Sequence, residues 1–218
     1  MSGVHQPRIV VFDLGKVLVD FDYGIAARTL ANRTKMGAGE INRFINQSPL
    51  LFRYETGLMT RQEFYDALCA GTGYCGDLEE FAGAFGNIFT PIQPMVELHA
   101  ALRRAGYRTY VFSNTNDMAI AHIRREFPFF SQFDGYVLSY EQRAMKPDPK
   151  IYQVVEEMSQ CRAGQILYLD DRPENIAAGV ERGWQVILQE SPDKTLATVE
   201  ALGLLNGTPF TTGNPRRG

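Results

Sequence analysis

Four short stretches of this sequence carry side chains suited to phosphate chemistry. They are Asp13-Leu14-Gly15-Lys16, Ser113-Asn114-Thr115-Asn116, the loop from Ser139 to Lys146-Pro147, and Asp170-Asp171. Carboxylates at 13 and 171 can share a hard, oxygen-loving cation such as Mg2+. A cation there screens Asp13 from the anion it must approach. Ser113, with backbone amides at the start of a following helix, suits phosphate oxygens. Lys146 supplies a point charge for a dianion or its transition state. With charge neutralised, Asp13 can attack phosphorus and form an aspartyl-phosphate that water then hydrolyses.

Each stretch alone has a plainer reading. Asp13 can be a turn residue, Ser113-Asn114 a helix cap, and Lys146 a solvated loop lysine. Their shared position argues against four coincidences. Each follows a short apolar run, at 9–12, 109–112, 136–138 and 166–169, and a fifth run lies at 185–188. Between the runs are helix-length stretches with apolar residues three and four apart. Met95, Leu98, His99 and Leu102 form one such stripe, and Ile151, Val154, Val155 and Met158 another. Strands alternating with helices predict βαβ units, a parallel sheet and right-handed crossovers. In such a sheet ligands gather beyond the carboxyl ends of the strands, where all four stretches fall. The predicted fold is therefore α/β, a Rossmann-like parallel-sheet core in three layers (α/β/α).

Residues 21–92 break this rhythm, with no convincing strand. Helical patterns at 25–33, 40–45, 61–70 and 78–88 are separated by Gly37, Pro49, Gly57, Gly71 and Gly73. The expected organisation is a core of residues 1–20 and 93–206 with a small helical cap, 21–92, inserted after the first strand. The Gly/Pro/Thr-rich tail 207–218 is expected to fray.

Bulk properties narrow the partners. A formal net charge of −3 gives no electrostatic footprint for nucleic acid or an anionic membrane. No apolar run approaches the roughly 20 residues that span a bilayer, and the first residues lack a secretory signal's apolar stretch. Cys69, Cys75 and Cys161 form no CxxC pair and read as reduced thiols of a cytoplasmic protein. His5, His99 and His122 are too scattered for a zinc site. The expected partner is a small phosphorylated metabolite, handled by a monomer or homodimer.

The stretches FDLGKVLVDFD, VFSNTN, KPDPKIY and LDDRPENIAAG together resemble the haloacid dehalogenase superfamily of hydrolases, dominated by phosphatases. Within it they are most similar to bacterial sugar phosphatases of the α-D-glucose-1-phosphate phosphatase type. The resemblance runs from residue 8 to about 205. It implies Asp13 as nucleophile and metal ligand, Gly15 as a ligand through its carbonyl, and Asp171 as the third protein ligand to Mg2+. Asp170 would orient the metal's waters or Lys146. Ser113, Asn114 and Lys146 would hold the phosphate, and the cap would help to select the substrate.

Phosphatases of this superfamily typically carry a second aspartate at the position of Gly15, as the acid that protonates the leaving alcohol. Without it the leaving group must be intrinsically good, as in a sugar 1-phosphate, or another group must carry the proton. Asp20, Asp22, Lys16 and bound water are the alternatives. Arg143 stands where relatives often have Gly. For the cap side of the pocket, Asp22, Phe52, Arg53, Tyr54 and Glu55 are the candidates, Arg53 for a second anionic group. Two rival functions share the nucleophile. A 2-haloacid dehalogenase would use Asp13 on carbon but would give Asp170-Asp171 no task. A phosphate-binding regulatory module would keep the pocket with little turnover.

Overall fold

The computed structural model describes residues 6–205. The tail 207–218, expected to fray, lies outside that range, as does residue 206. The core is a five-stranded parallel sheet of β1 (Ile9–Phe12), β4 (Arg108–Ser113), β5 (Gly135–Leu138), β6 (Ile166–Asp170) and β7 (Gln185–Leu188). Its spatial order is β5-β4-β1-β6-β7. β1 is thus central, and the strand order reverses around it, which is where an open α/β sheet opens a crevice.

Every residue of β1 is buried, as expected of a parallel strand covered on both faces. Val10 and Phe12 point to one side, where α6 (Gln93–Arg104), α7 (Asp117–Glu126) and α11 (Pro192–Ala201) contribute Met95, Leu98, Ile120, Ile123, Leu196 and Val199. Ile9 and Val11 point to the other, against Ile151, Tyr152 and Val155 of α9 (Pro149–Ser159) and the partly buried Ile176 of α10 (Pro173–Glu181). The result is the three-layer arrangement.

A two-stranded antiparallel ladder joins this core to the insert: β2 (Val19–Phe21) pairs with β3 (Phe89–Pro91). Between them run α1 (Tyr23–Ala31), α2 (Ala38–Gln47), α3 (Pro49–Glu55), α4 (Arg61–Thr72) and α5 (Leu78–Gly86). These helices bury an apolar cluster of their own, including Leu30, Ile41, Ile45, Phe64, Leu68, Phe81 and Phe85. The expectation of four helices and no strand in this region is corrected on two counts. Pro49 opens the additional helix α3, with Ser48 as its cap; Pro at the first helical position has no N–H to waste and a suitable φ. β3 is only three residues long and ends on Pro91, which an edge tolerates. A short α8 (Ser139–Gln142) follows β5 and closes in the left-handed region at Arg143, φ 51°.

Insert and core also touch at the start of α7. The Asp117 carboxylate accepts from the Tyr54 hydroxyl and from Arg61, whose Nη2 lies 2.6 Å away.

Candidate active site

The register of the sheet sets the geometry. Phe12 lies opposite Val111 on one side and Leu169 on the other, so the residues that follow, Asp13 and Asp170, leave adjacent strands together. The Asp13 N–H still donates to the Leu169 carbonyl at 2.8 Å, which fixes where its side chain begins. Carboxylate oxygens of Asp13, Asp170 and Asp171 lie within 4.8 Å of one another. Asp13 and Asp170 are buried; Asp171 is partly exposed.

Lys146 crosses beneath this group. Its side chain is 1 % exposed, and Nζ lies 2.9 Å from Asp13 Oδ1 and 2.6 Å from Asp170 Oδ2. A third bond, to the Phe112 carbonyl at 2.9 Å, completes its three donors. Asn114 holds the loop in place: its Nδ2 donates to the Lys146 carbonyl at 3.0 Å and its Oδ1 accepts from the Lys146 N–H at 2.8 Å. Asp170 is saturated in turn, accepting from the Tyr168 hydroxyl, from Asn175 Nδ2 at 3.0 and 3.2 Å, and from the Arg172 N–H at 2.8 Å.

The charges follow these contacts. Burial pushes the Asp13 carboxyl up to about 7, although Lys146 pulls against it. For Asp170, burial acts upward too, but Lys146, Tyr168 and the Arg172 N–H outweigh it and hold the group below the usual carboxylate range. Burial would depress Lys146, yet the two carboxylates hold its ammonium above the ordinary lysine value. Asp171 is raised by burial and by the neighbouring Asp170 charge.

Above the carboxylates is a cavity of about 220 Å3. Asp13, Gly15, Asn114, Lys146 and Asp171 all line it. Ser113 is buried and lines a smaller adjoining recess that shares Gly15 and Asn114 with the larger cavity. The sequence-predicted residues are therefore brought together, with Asp170 directly beneath. Of the cap candidates, Glu55 reaches both cavities. Tyr54 is buried in the cap and spent on Asp117; Phe52 and Arg53 are exposed; Asp22 caps α1 and pairs with Arg28. Lys16 lines the cavity but pairs with Asp20 and lies 4.8 Å above the Phe21 ring. Arg143 is exposed and does not line either cavity; its left-handed backbone is the conformation that favours Gly there.

Sequence reasoning missed Phe21, Tyr23, Leu51, Met145, Arg172 and Asn175, which complete the cavity wall. Asn175 had a signal, standing five residues after Asp170 at the start of a helix. Met145 and Arg172 stand directly beside Lys146 and Asp171, while Phe21, Tyr23 and Leu51 come from insert positions with no fixed offset from any motif.

The donor set is entirely oxygen, three carboxylates with Gly15 lining the same cavity, which fits a hard divalent cation such as Mg2+. Because Asp170 is consumed by its protein partners, Asp13 and Asp171 are the side chains left for such an ion.

Comparison with known proteins agrees with the geometry. The family model described as haloacid dehalogenase-like hydrolase matches residues 7–183. A D-ribitol-5-phosphate phosphatase of Bacteroides thetaiotaomicron is 26% identical over 191 residues, 84% of this chain and 91% of that protein. A haloacid dehalogenase family enzyme of the same organism, solved in complex with magnesium and inorganic phosphate, superposes with a TM-score of 0.73. It is 24% identical, over 84% of this chain and 93% of that one. An L-2-haloacid dehalogenase of Xanthobacter autotrophicus shares the fold at a TM-score of 0.62 and 20% identity, over 93% and 85% of the two chains. Among the described residues no helix is long and apolar enough to cross a membrane.

Proposed function

The chain belongs to the haloacid dehalogenase-like hydrolases, and from that premise we propose that it is a magnesium-dependent phosphatase acting on a small phosphorylated metabolite through an aspartyl-phosphate. One observation carries the reading: Asp13, Asp170 and Asp171 converge at the centre of the sheet with Lys146 buried between two of them. A dehalogenase needs no metal and would give Asp170-Asp171 no task as a metal site.

Asp13 is the nucleophile. Its side-chain oxygen attacks phosphorus while the bond to the leaving alcohol breaks, and water later releases phosphate from the acyl phosphate. Lys146 keeps Asp13 oriented and offsets negative charge as the phosphoryl group approaches. Ser113 holds phosphate oxygens, and Asn114 serves the same end by clamping the Lys146 backbone. Asp13, Asp171 and the Gly15 carbonyl would hold Mg2+, which supplies charge neutralisation at the phosphate. Asp170 positions Lys146 and the strand end that carries Asp171.

The substrate class is a phosphate ester of a sugar or polyol. The relative that acts on ribitol 5-phosphate supports this class, as does the resemblance to sugar-1-phosphate phosphatases. The test is hydrolysis of p-nitrophenyl phosphate with and without Mg2+, followed by a panel containing glucose 1-phosphate, glucose 6-phosphate and ribitol 5-phosphate. Turnover should require the metal and vanish in Asp13→Asn. Halide release from 2-chloropropionate without metal, or phosphate binding without turnover, would refute the assignment.

A further inference from the structure

Expelling an alcohol from a phosphate ester creates an alkoxide, and a positioned proton donor there is worth about 10²–10⁴ in rate. The acids at the cavity floor are committed elsewhere: Asp13 and Asp170 bind Lys146, and Asp171 belongs to the metal set. Position 15 offers no side chain, and the room above it is taken, since a Cβ there would lie 2.9 Å from the Phe21 ring. Lys16 and Asp20 pair with each other, and Asp22 caps α1. Among the described residues lining the cavity one carboxyl is left over, that of Glu55.

Glu55 comes from above, at the end of α3, and its backbone is fastened to the core. The Ser139 hydroxyl donates to the Glu55 carbonyl at 2.5 Å. Two residues on, Gly57 packs so closely that a Cβ would lie 2.1 Å from the Tyr140 carbonyl oxygen. The segment holding Glu55 therefore rests on α8, the short helix that leads into the loop carrying Lys146. Its Oε1 accepts from the Tyr23 hydroxyl at 3.5 Å, and Arg172, itself paired with Glu174, lines the same cavity together with Lys16, Lys146, Asp13 and Asp171. Burial pushes the Glu55 carboxyl up to about 8 against the pull of Tyr23 and Arg172, so it holds a proton at neutral pH. The Tyr23 hydroxyl, raised well above its ordinary value mainly by burial, keeps its own.

Resting on the phosphatase reading, we propose that Glu55 is the general acid and base of the reaction, delivered by the cap. As the bond from Asp13 to phosphorus forms, the bond from phosphorus to the leaving oxygen breaks. That oxygen takes the Glu55 proton and departs as a neutral alcohol. The Glu55 carboxylate, steadied by Tyr23, then takes a proton from water as the water oxygen attacks phosphorus. The Asp13–phosphorus bond breaks, phosphate leaves, and both side chains regain their starting states.

The test compares two esters of nearly the same shape, p-nitrophenyl phosphate and phenyl phosphate, in wild type and Glu55→Gln. Phenolate is the poorer leaving group and needs the proton more. The value of kcat/KM reports the first chemical step, so slow water activation does not mask the comparison. For phenyl phosphate it should fall about 10²-fold in the variant, and for p-nitrophenyl phosphate by less than tenfold. Retained p-nitrophenyl phosphate turnover shows that the variant is folded. Equal losses on both esters, or no loss on phenyl phosphate, would overturn the role of Glu55 while leaving Asp13 as nucleophile. A wild-type protein inactive on both esters would overturn the phosphatase reading and this assignment with it.

Discussion

Replacing Lys146 by Met tests the electrostatic logic of the site most directly. Met fills a similar volume, so the change removes charge more than packing. Lys146 is buried and bridges two carboxylates at 2.9 and 2.6 Å; stripping a buried pair of one partner costs about 3–5 kcal/mol. Against a total stability of roughly 5–15 kcal/mol, that is a large share. The loss should depend on pH. Asp13 is already raised to about 7 with Lys146 present, and without that ammonium it rises further. A carboxyl whose folded value exceeds its unfolded value, near 3.8, binds its proton more tightly in the folded state. Its contribution to stability is fully present below that unfolded value and is lost as pH rises through the folded one. The deficit of Lys146→Met relative to wild type should therefore widen between pH 5 and pH 8. Urea denaturation in EDTA at both values measures it, with metal kept off Asp13. Activity on p-nitrophenyl phosphate with Mg2+ at pH 7 should fall by about 10²–10³, the usual loss for removing one preorganised electrostatic group. A deficit unchanged between the two pH values, or activity within tenfold of wild type, would refute the reasoning.

Further expectations concern the supports of the site. Asn175→Ala removes two contacts that hold Asp170 and should raise the Mg2+ concentration for half-maximal activity by about 10–100-fold, as losses behind metal ligands do; a magnesium titration of initial rate checks it. Gly57→Ala should destabilise the protein by at least about 1 kcal/mol, because φ is +68° and the new Cβ would collide with the Tyr140 carbonyl. Thermal unfolding measures that loss, and KM should rise as α3 is pushed off the core.

Much of the core was legible in the sequence. The apolar runs at 9–12 and 185–188 became strands with those limits; the first is covered on both faces and needs little besides apolar residues, while the second is a sheet edge with Leu188 exposed. The convergence of Asp13, Lys146 and Asp171 followed from one rule about strand ends. What stayed hidden was set by three-dimensional contact. Nothing in the sequence announces that Asn114 grips the backbone of Lys146, or that Phe21 covers Gly15. Pro49 read as punctuation between helices when it was the start of one. β2 and β3 are three residues each, too short for alternation to register. Glu55 was one of five cap candidates, and its place on the cavity wall, with its backbone held by Ser139, separates it from exposed Phe52 and Arg53.

The ladder of β2 with β3 has a consequence for how such an enzyme diversifies. Its two strands leave and rejoin the core side by side, with Val19 opposite Pro91 and Phe21 opposite Phe89. The register of the parallel sheet below is set by its own strands, although the insert also rests on α7 and α8. Loop closure grows so slowly with length that doubling the hanging segment would add only about 0.6 kcal/mol. Lineages can therefore trade one lid for another of different size while the hydrolytic floor keeps its register.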